Sequence, residues 1–154
     1  MNEEKVKIKA KLIIEKSEFI HLGTIDGEGY PNIRLMFNWK RKDQFPRLNK
    51  VIDEYNEGFT TYIGTNTSSN KITQTKMNPK SSVYYEITND KWQGLMFRGT
   101  LEFIEDMKIK RDLWEKDWII YYPKGVSDPD FTLLKFKPNF LKLYMDLRTY
   151  SLQI

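Results

Sequence analysis

The chain has 154 residues, a formal charge of +4 at pH 7, nine Phe, nine Tyr, four Trp and no cysteine. That length buries a core in a single domain spanning 1–154, and the absence of thiols excludes disulfides and thiolate metal sites and makes the cytoplasm the expected location. The N-terminus is charged from Glu3 onward, without the apolar centre of a signal peptide, and no apolar run approaches the roughly 20 residues of a membrane span. Lysines are interspersed with acids, so the positive balance permits nucleic-acid binding without demanding it, and neither a nucleic acid nor a membrane is the expected partner.

Residues 3–16 alternate lysines with apolar residues as a strand would, but Val6, Ala10, Ile13 and Ile14 share one helical face. Asn2 suits the cap, and Glu3 and Glu4 suit the first turn, so a helix with a solvated lysine face is expected. Phe19 to Ile25 and Tyr30 to Asn38 read as a hairpin around Asp26-Gly27-Glu28-Gly29, with Pro31 tolerated at the start of its second strand. Arg34 on that strand either reaches a phosphate or flavin or pairs with a surface carboxylate. A loop and a short helix follow, with Pro46 near its first turn, Leu48, Val51, Ile52 and Tyr55 at helical spacing, and Gly58 closing it.

Residues 60–85, TTYIGTNTSSNKITQTKMNPKSSVYY, read as a strand at 59–65, a hydroxyl-rich turn, a helix at about 69–77 and a strand at 81–87. Thr65, Thr67, Ser68, Ser69 and Lys71 gather where the strand ends and the helix begins. Unpaired N–H groups at a helix start, hydroxyls and an ammonium together suit a phosphate, whereas Ser and Thr in this place also serve as ordinary N-caps. Thr88-Asn89-Asp90 is expected to turn into a long strand, Trp92 to Ile104, bent at Gly94 and Gly99. Asp106 to about Trp118 reads as a helix, and Phe131 to Lys137 and Phe140 to Asp146 as two strands linked by Pro138-Asn139. The count is six or seven strands with short helices, which fits a partly antiparallel β-barrel.

Chemistry carried by protein side chains has little support. His21 is the only histidine and sits in an apolar strand. No GxxxxGK[ST] or GxGxxG is present, and pairs such as Glu105-Asp106 and Asp128/Asp130 stand where caps and turns need them. Chemistry delegated to a bound cofactor remains.

HLGTIDGEGYPNIRLMFN resembles the opening hairpin of the flavin mononucleotide (FMN)-binding split barrels, the superfamily of pyridoxamine 5'-phosphate oxidase. The 60–85 stretch resembles their phosphate-binding strand and helix, and FRGTLEFIED with YYPKGVSDPDFTLLKFKP is similar to the general stress protein branch. The resemblance implies a mainly β fold with short α helices, a six-stranded antiparallel split β-barrel that dimerises and holds FMN at the subunit interface. Carried over by position, Arg34, Leu35 and Met36 would line the flavin ring, Thr65, Ser69 and Lys71 would hold its phosphate, and Gln93 would offer a polar contact to the ring.

The implied function is FMN-dependent oxidation or reduction of a small molecule, with a nicotinamide nucleotide as one candidate electron donor. The alternative is a non-enzymatic stress-response module binding flavin, deazaflavin or haem. Two departures set the chain apart from genuine pyridoxamine 5'-phosphate oxidases. Asn70 stands where they commonly carry Arg between the matching Ser and Lys, and MDLRTYSLQI lacks their Arg- and His-containing substrate segment.

Overall fold

A computed structural model describes residues 1–89 and 91–154; the expected turn residue Asp90 lies outside the described residues. Helix α1 (Glu3–Lys16) begins at Asn2, whose side chain accepts the Lys5 amide at 3.0 Å, and buries Val6, Ala10, Ile13 and Ile14. The lysine alternation is thus overruled by the apolar stripe, as expected. Strands β1 (Phe19–Ile25) and β2 (Pro31–Phe37) form the first hairpin, and α2 (Pro46–Glu54) follows. Next come β3 (Thr61–Asn66), α3 (Asn70–Met77), β4 (Lys80–Ile87) and β5 (Gln93–Phe103). The C-terminal part carries α4 (Met107–Asp112), two 3-10 turns (Lys116–Ile120 and Gly125–Ser127), β6 (Phe131–Met145) and β7 (Arg148–Gln153).

All pairings are antiparallel, and the strands run in the order β2-β1-β4-β5-β6-β3, with β7 added beside β6. The path is the curled six-stranded sheet of a split barrel. Two cores fill it. The first joins α1 to the inner faces of the strands through Ile20, Leu22, Ile63, Val83, Leu95, Phe97, Phe136 and Leu141. The second lies on the other side of β3 and β6 and collects Trp39, Leu48, Ile52, Tyr62, Leu113, Tyr122, Phe131 and Leu133.

The two strands expected around Pro138-Asn139 are one strand of 15 residues. Its pairing with β5 slips at this point, from Arg98 opposite Phe140 to Gly99 opposite Pro138, so Asn139 is an extra residue in the ladder. One extra residue reverses which side chains face inward. Leu134 and Phe136 point into the first core before the bulge, and Leu141 and Leu143 after it. Gly99 is required here, since a Cβ on it would stand 2.1 Å from the Lys137 carbonyl oxygen.

The helix expected over 106–118 ends at Asp112. Leu113 is fully buried, and Trp114 packs against Trp118 and Phe131, so tertiary burial breaks the helical path. Arg47 takes up the freed carbonyls, donating from Nη1 to Asp112 O at 2.8 Å and from Nη2 to Trp114 O. Trp92 lies just before β5, against Tyr144.

The terminal strand β7 had no sequence signature. Its two-residue turn, Asp146-Leu147, adopts φ of 51° and 58°, a conformation that glycine and asparagine favour and leucine does not. Replacing Leu147, which is exposed, with glycine is therefore expected to raise stability by about 1 kcal/mol in urea denaturation. An unchanged or lower midpoint would mean that the turn carries no backbone strain.

Candidate functional site

A cavity of about 450 Å³ opens at the seam between the two cores, within the roughly 300–1,000 Å³ range of small-molecule sites. Its walls are Leu35, Met36 and Phe37 of β2, Gly64, Thr65 and Asn66 of β3, Lys71 of α3, and an aromatic group of Phe19, Trp39, Trp118, Tyr121, Tyr122 and Phe131. Gly64 makes room for this arrangement. A Cβ there would lie 2.8 Å from the Trp39 ring and 3.3 Å from Phe131, so only glycine lets the indole rest on the strand backbone. Trp39 in turn stacks on Trp118 with ring centroids 4.9 Å apart.

The polar end is built around Lys71. Its Nζ donates to Thr65 Oγ1 at 2.8 Å and to Ser69 Oγ at 3.1 Å. Both acceptors are neutral, and Lys71 has no ion pair with any carboxylate among the described residues. Burial pushes the Lys71 ammonium below the usual lysine range, and the nearby Arg34 charge pushes it further the same way. Ser69 is the N-cap residue of α3, yet its side chain makes no capping bond, so its hydroxyl stays with the lysine. A half-buried cation among hydroxyls at a helix start has the chemistry that suits an anion.

Arg34 is held behind this end and is not among the residues lining the cavity. Its Nη1 donates to Thr24 Oγ1 at 2.6 Å, to Asn32 O at 3.0 Å and to Leu22 O at 3.3 Å, while Nη2 donates to Gln74 Oε1 at 3.1 Å. The Thr24 hydroxyl also donates to Gln74 Oε1 at 2.6 Å. Arg34 thus ties α3 to the β1–β2 hairpin. Its own charge is neutralised by no carboxylate among the described residues, and burial lowers its basicity as it does that of Lys71.

Of the residues singled out from sequence, Leu35, Met36, Thr65 and Lys71 come together on the cavity wall, and Ser69 joins them through Lys71. Gln93 opens β5 opposite Ile87 and does not line the cavity. Thr67 and Ser68 are committed elsewhere, to the loop before β6. Sequence reasoning missed Trp39, Trp118, Tyr122 and Phe131 as walls, and Thr24 and Gln74 as supports. The isolated Gly64 inside an apolar strand was the available signal for a close approach. His21 does not line the cavity, its Nε2 lying 3.1 Å from Glu86 Oε1, and no cluster of His, Asp or Glu suited to a metal occurs among the described residues.

Curled antiparallel sheet, seam cavity and cationic helix start together define a protein of the split-barrel class. The sequence matches the family model described as pyridoxamine 5'-phosphate oxidase like over residues 50–143, and the chain belongs to that family. Among solved structures it is similar to a Clostridium acetobutylicum protein related to general stress protein 26, at 31% identity and a TM-score of 0.78, with 99% of this chain and 97% of that one covered. General stress protein 26 from Bacillus anthracis is 22% identical with a TM-score of 0.68, covering 96% of this chain and 98% of that one. A haem-binding protein from Mycobacterium smegmatis shares the fold at 12% identity and a TM-score of 0.68, with 96% of this chain and 57% of that one covered. No curated protein matches the sequence. Among the described residues, no helix is long and apolar enough to cross a membrane.

Burial of Lys71 with no carboxylate partner among the described residues disfavours its ammonium in the fold. Lys71→Met should raise the melting temperature. The sign follows from linkage: the folded-state ammonium loses its proton at a lower pH than the unfolded one, so the penalty is present at neutral pH and fades as pH rises toward the ordinary lysine range. Thermal melts of both proteins from pH 7 to pH 10 check this, and a destabilised variant at every pH would contradict it.

Proposed function

We propose that the protein binds FMN, with the phosphate at Lys71, Ser69 and Thr65 and the ring along Leu35, Met36 and the aromatic wall, and that it serves as an oxidoreductase for a small molecule. The observation that carries this reading is the Lys71 ammonium, half-buried and matched only by hydroxyls, at the polar end of a cavity otherwise lined by apolar and aromatic groups. A ligand that satisfies both ends has a dianionic head and a flat, largely apolar body, which is the description of FMN. The donor set fits the group: an ammonium and hydroxyls suit the phosphate, and Gly64 lets the Trp39 indole lie against β3 as part of a flat aromatic wall.

Bound flavin would supply hydride or single-electron transfer. The chain's own part is to hold the phosphate, exclude water with Trp39, Trp118 and Phe131, and leave one side of the ring accessible. With Asn70 beside Lys71, the phosphate meets one cation on the cavity wall, and Arg34 contributes from behind as a fixed charge. The haem alternative finds no support in His21, which does not line the cavity and whose Nε2 lies 3.1 Å from Glu86 Oε1.

A second copy of the chain is part of this reading. The edge strand β2 exposes Ile33, Leu35 and Phe37, and Tyr30 beside it is 65% exposed. Ile119, Ile120 and Tyr121 are exposed on the 3-10 turn that borders the same cavity. An apolar edge strand next to an apolar turn is costly to leave in water, and pairing two such faces would also cover the open side of the flavin.

Titration of the purified protein with FMN, followed by quenching of flavin fluorescence, tests cofactor binding. Saturable binding weakened in Lys71→Met by about 1.5 to 3 kcal/mol, the range for a hydrogen bond to a charged group, is expected. Absence of binding, or equal affinity in the variant, contradicts the assignment. Light scattering on Ile33→Arg should give a monomer where the parent gives a dimer, and a parent that is itself monomeric would remove the dimer from the account.

A further inference from the structure

The Gly125–Asp130 segment, GVSDPD, is a sequence feature that flavin binding leaves unexplained. Its two aspartates do different things. Asp128 folds the segment on itself: its Oδ1 accepts the Asp130 amide at 3.0 Å, its Oδ2 accepts the Lys124 amide at 3.1 Å, and its carbonyl accepts the Phe131 amide at 2.9 Å. Asp130 reaches out instead, to the loop that joins β3 to α3. Its Oδ2 accepts from Asn66 Nδ2 at 2.6 Å, its Oδ1 from the Ser68 amide at 3.0 Å, and its carbonyl oxygen from the Thr67 amide at 2.8 Å. Thr67 adds a second tie, its hydroxyl lying 2.9 Å from the Pro129 carbonyl and 2.6 Å from Thr132 Oγ1.

Three consecutive residues, Asn66, Thr67 and Ser68, are thereby fixed by one aspartate and its neighbours. They are the residues between Thr65 and Ser69, the two hydroxyls that hold Lys71. On the other side of the clamp, Tyr122 and Phe131 flank the same segment and form part of the aromatic wall. The carboxylate's hydrogen bonds with loop donors lower its pKa from the ordinary aspartate value, and Asp130 makes no ion pair among the described residues. It fixes the loop without occupying the ammonium that an anion needs.

We propose that Asp130 is the positioning residue for phosphate recognition, setting the spacing of Thr65, Ser69 and Lys71 through the loop that joins them. The inference rests on the reading of Lys71 as the phosphate site. Loss of the clamp should spoil recognition of the phosphate and spare the apolar contacts to the ring, so the affinity difference between FMN and riboflavin is the informative quantity.

The experiment compares the parent protein, Asp130→Ala and Thr67→Val. Each is titrated with FMN, riboflavin and inorganic phosphate, the flavins by fluorescence and phosphate by amide shifts of residues 65–72. The expected result is a preference of the parent for FMN that shrinks about tenfold in Asp130→Ala, the scale of one lost hydrogen bond to a charged group, with riboflavin affinity unchanged. Thr67→Val, which removes only the hydroxyl ties, should lie between the two and keeps the test alive if Asp130→Ala does not fold. An undiminished FMN preference in the variants, or equal losses for FMN and riboflavin, would overturn the positioning role. A parent that binds phosphate but not FMN, with phosphate binding weakened in the variants, would uphold the role of Asp130 and remove the flavin.

Discussion

Strand β6, like its partner β3, belongs to both cores, and that constraint shapes everything around the cavity. β6 gives Phe131 and Leu133 to the second core and Leu134 and Phe136 to the first, and then passes a bulge at Asn139 and keeps Leu141 and Leu143 in the first. Without the extra residue the alternation would turn Leu141 and Leu143 outward and the barrel would lose part of its filling. Gly99 makes the bulge sterically feasible. β3 pairs with the first part of β6 and β7 with the last, so the strand switches partners along its length.

The cavity follows from this arrangement. Where the two cores part, at the end of β3, the backbone opens into the loop before α3, and the aromatic cluster of the second core supplies one wall while β2 supplies another. Hydrogen bonds fix the polar end from two directions. The Arg34–Thr24–Gln74 network holds α3 against the hairpin from behind, and the Asp130 contacts hold the preceding loop from the front. Lys71 lies between these anchors with its charge uncompensated. On the proposed reading, a cation held this way suits a ligand that brings negative charge, a trade of stability for function common where binding requires a group to be held ready.

Much of this was legible in the sequence, for identifiable reasons. Helix α1 could be read through its misleading lysine alternation because Val6, Ala10, Ile13 and Ile14 keep helical spacing, and the first hairpin because Asp26-Gly27-Glu28-Gly29 is strong turn chemistry. The concentration of Thr65, Ser69 and Lys71 at a strand-to-helix junction marked the polar end, since the chemistry is local in sequence. What was not legible depends on contacts between distant segments. The short α4 reflects burial of Leu113 and Trp114 against residues far away in the chain, and β7 hides behind a turn whose Asp146-Leu147 lacks the usual glycine. Trp39 and Trp118 lie 79 positions apart in sequence and stack where Gly64 leaves room for the Trp39 ring.

The central claim is that Lys71 holds the phosphate of a flavin. A crystal structure of the protein grown with FMN tests it most directly. The account predicts phosphate oxygens within hydrogen-bonding distance of Lys71 Nζ and Ser69 Oγ, with the ring against Leu35, Met36 and the aromatic wall. FMN bound elsewhere on the molecule, or a phosphate that makes no contact with Lys71, would contradict it.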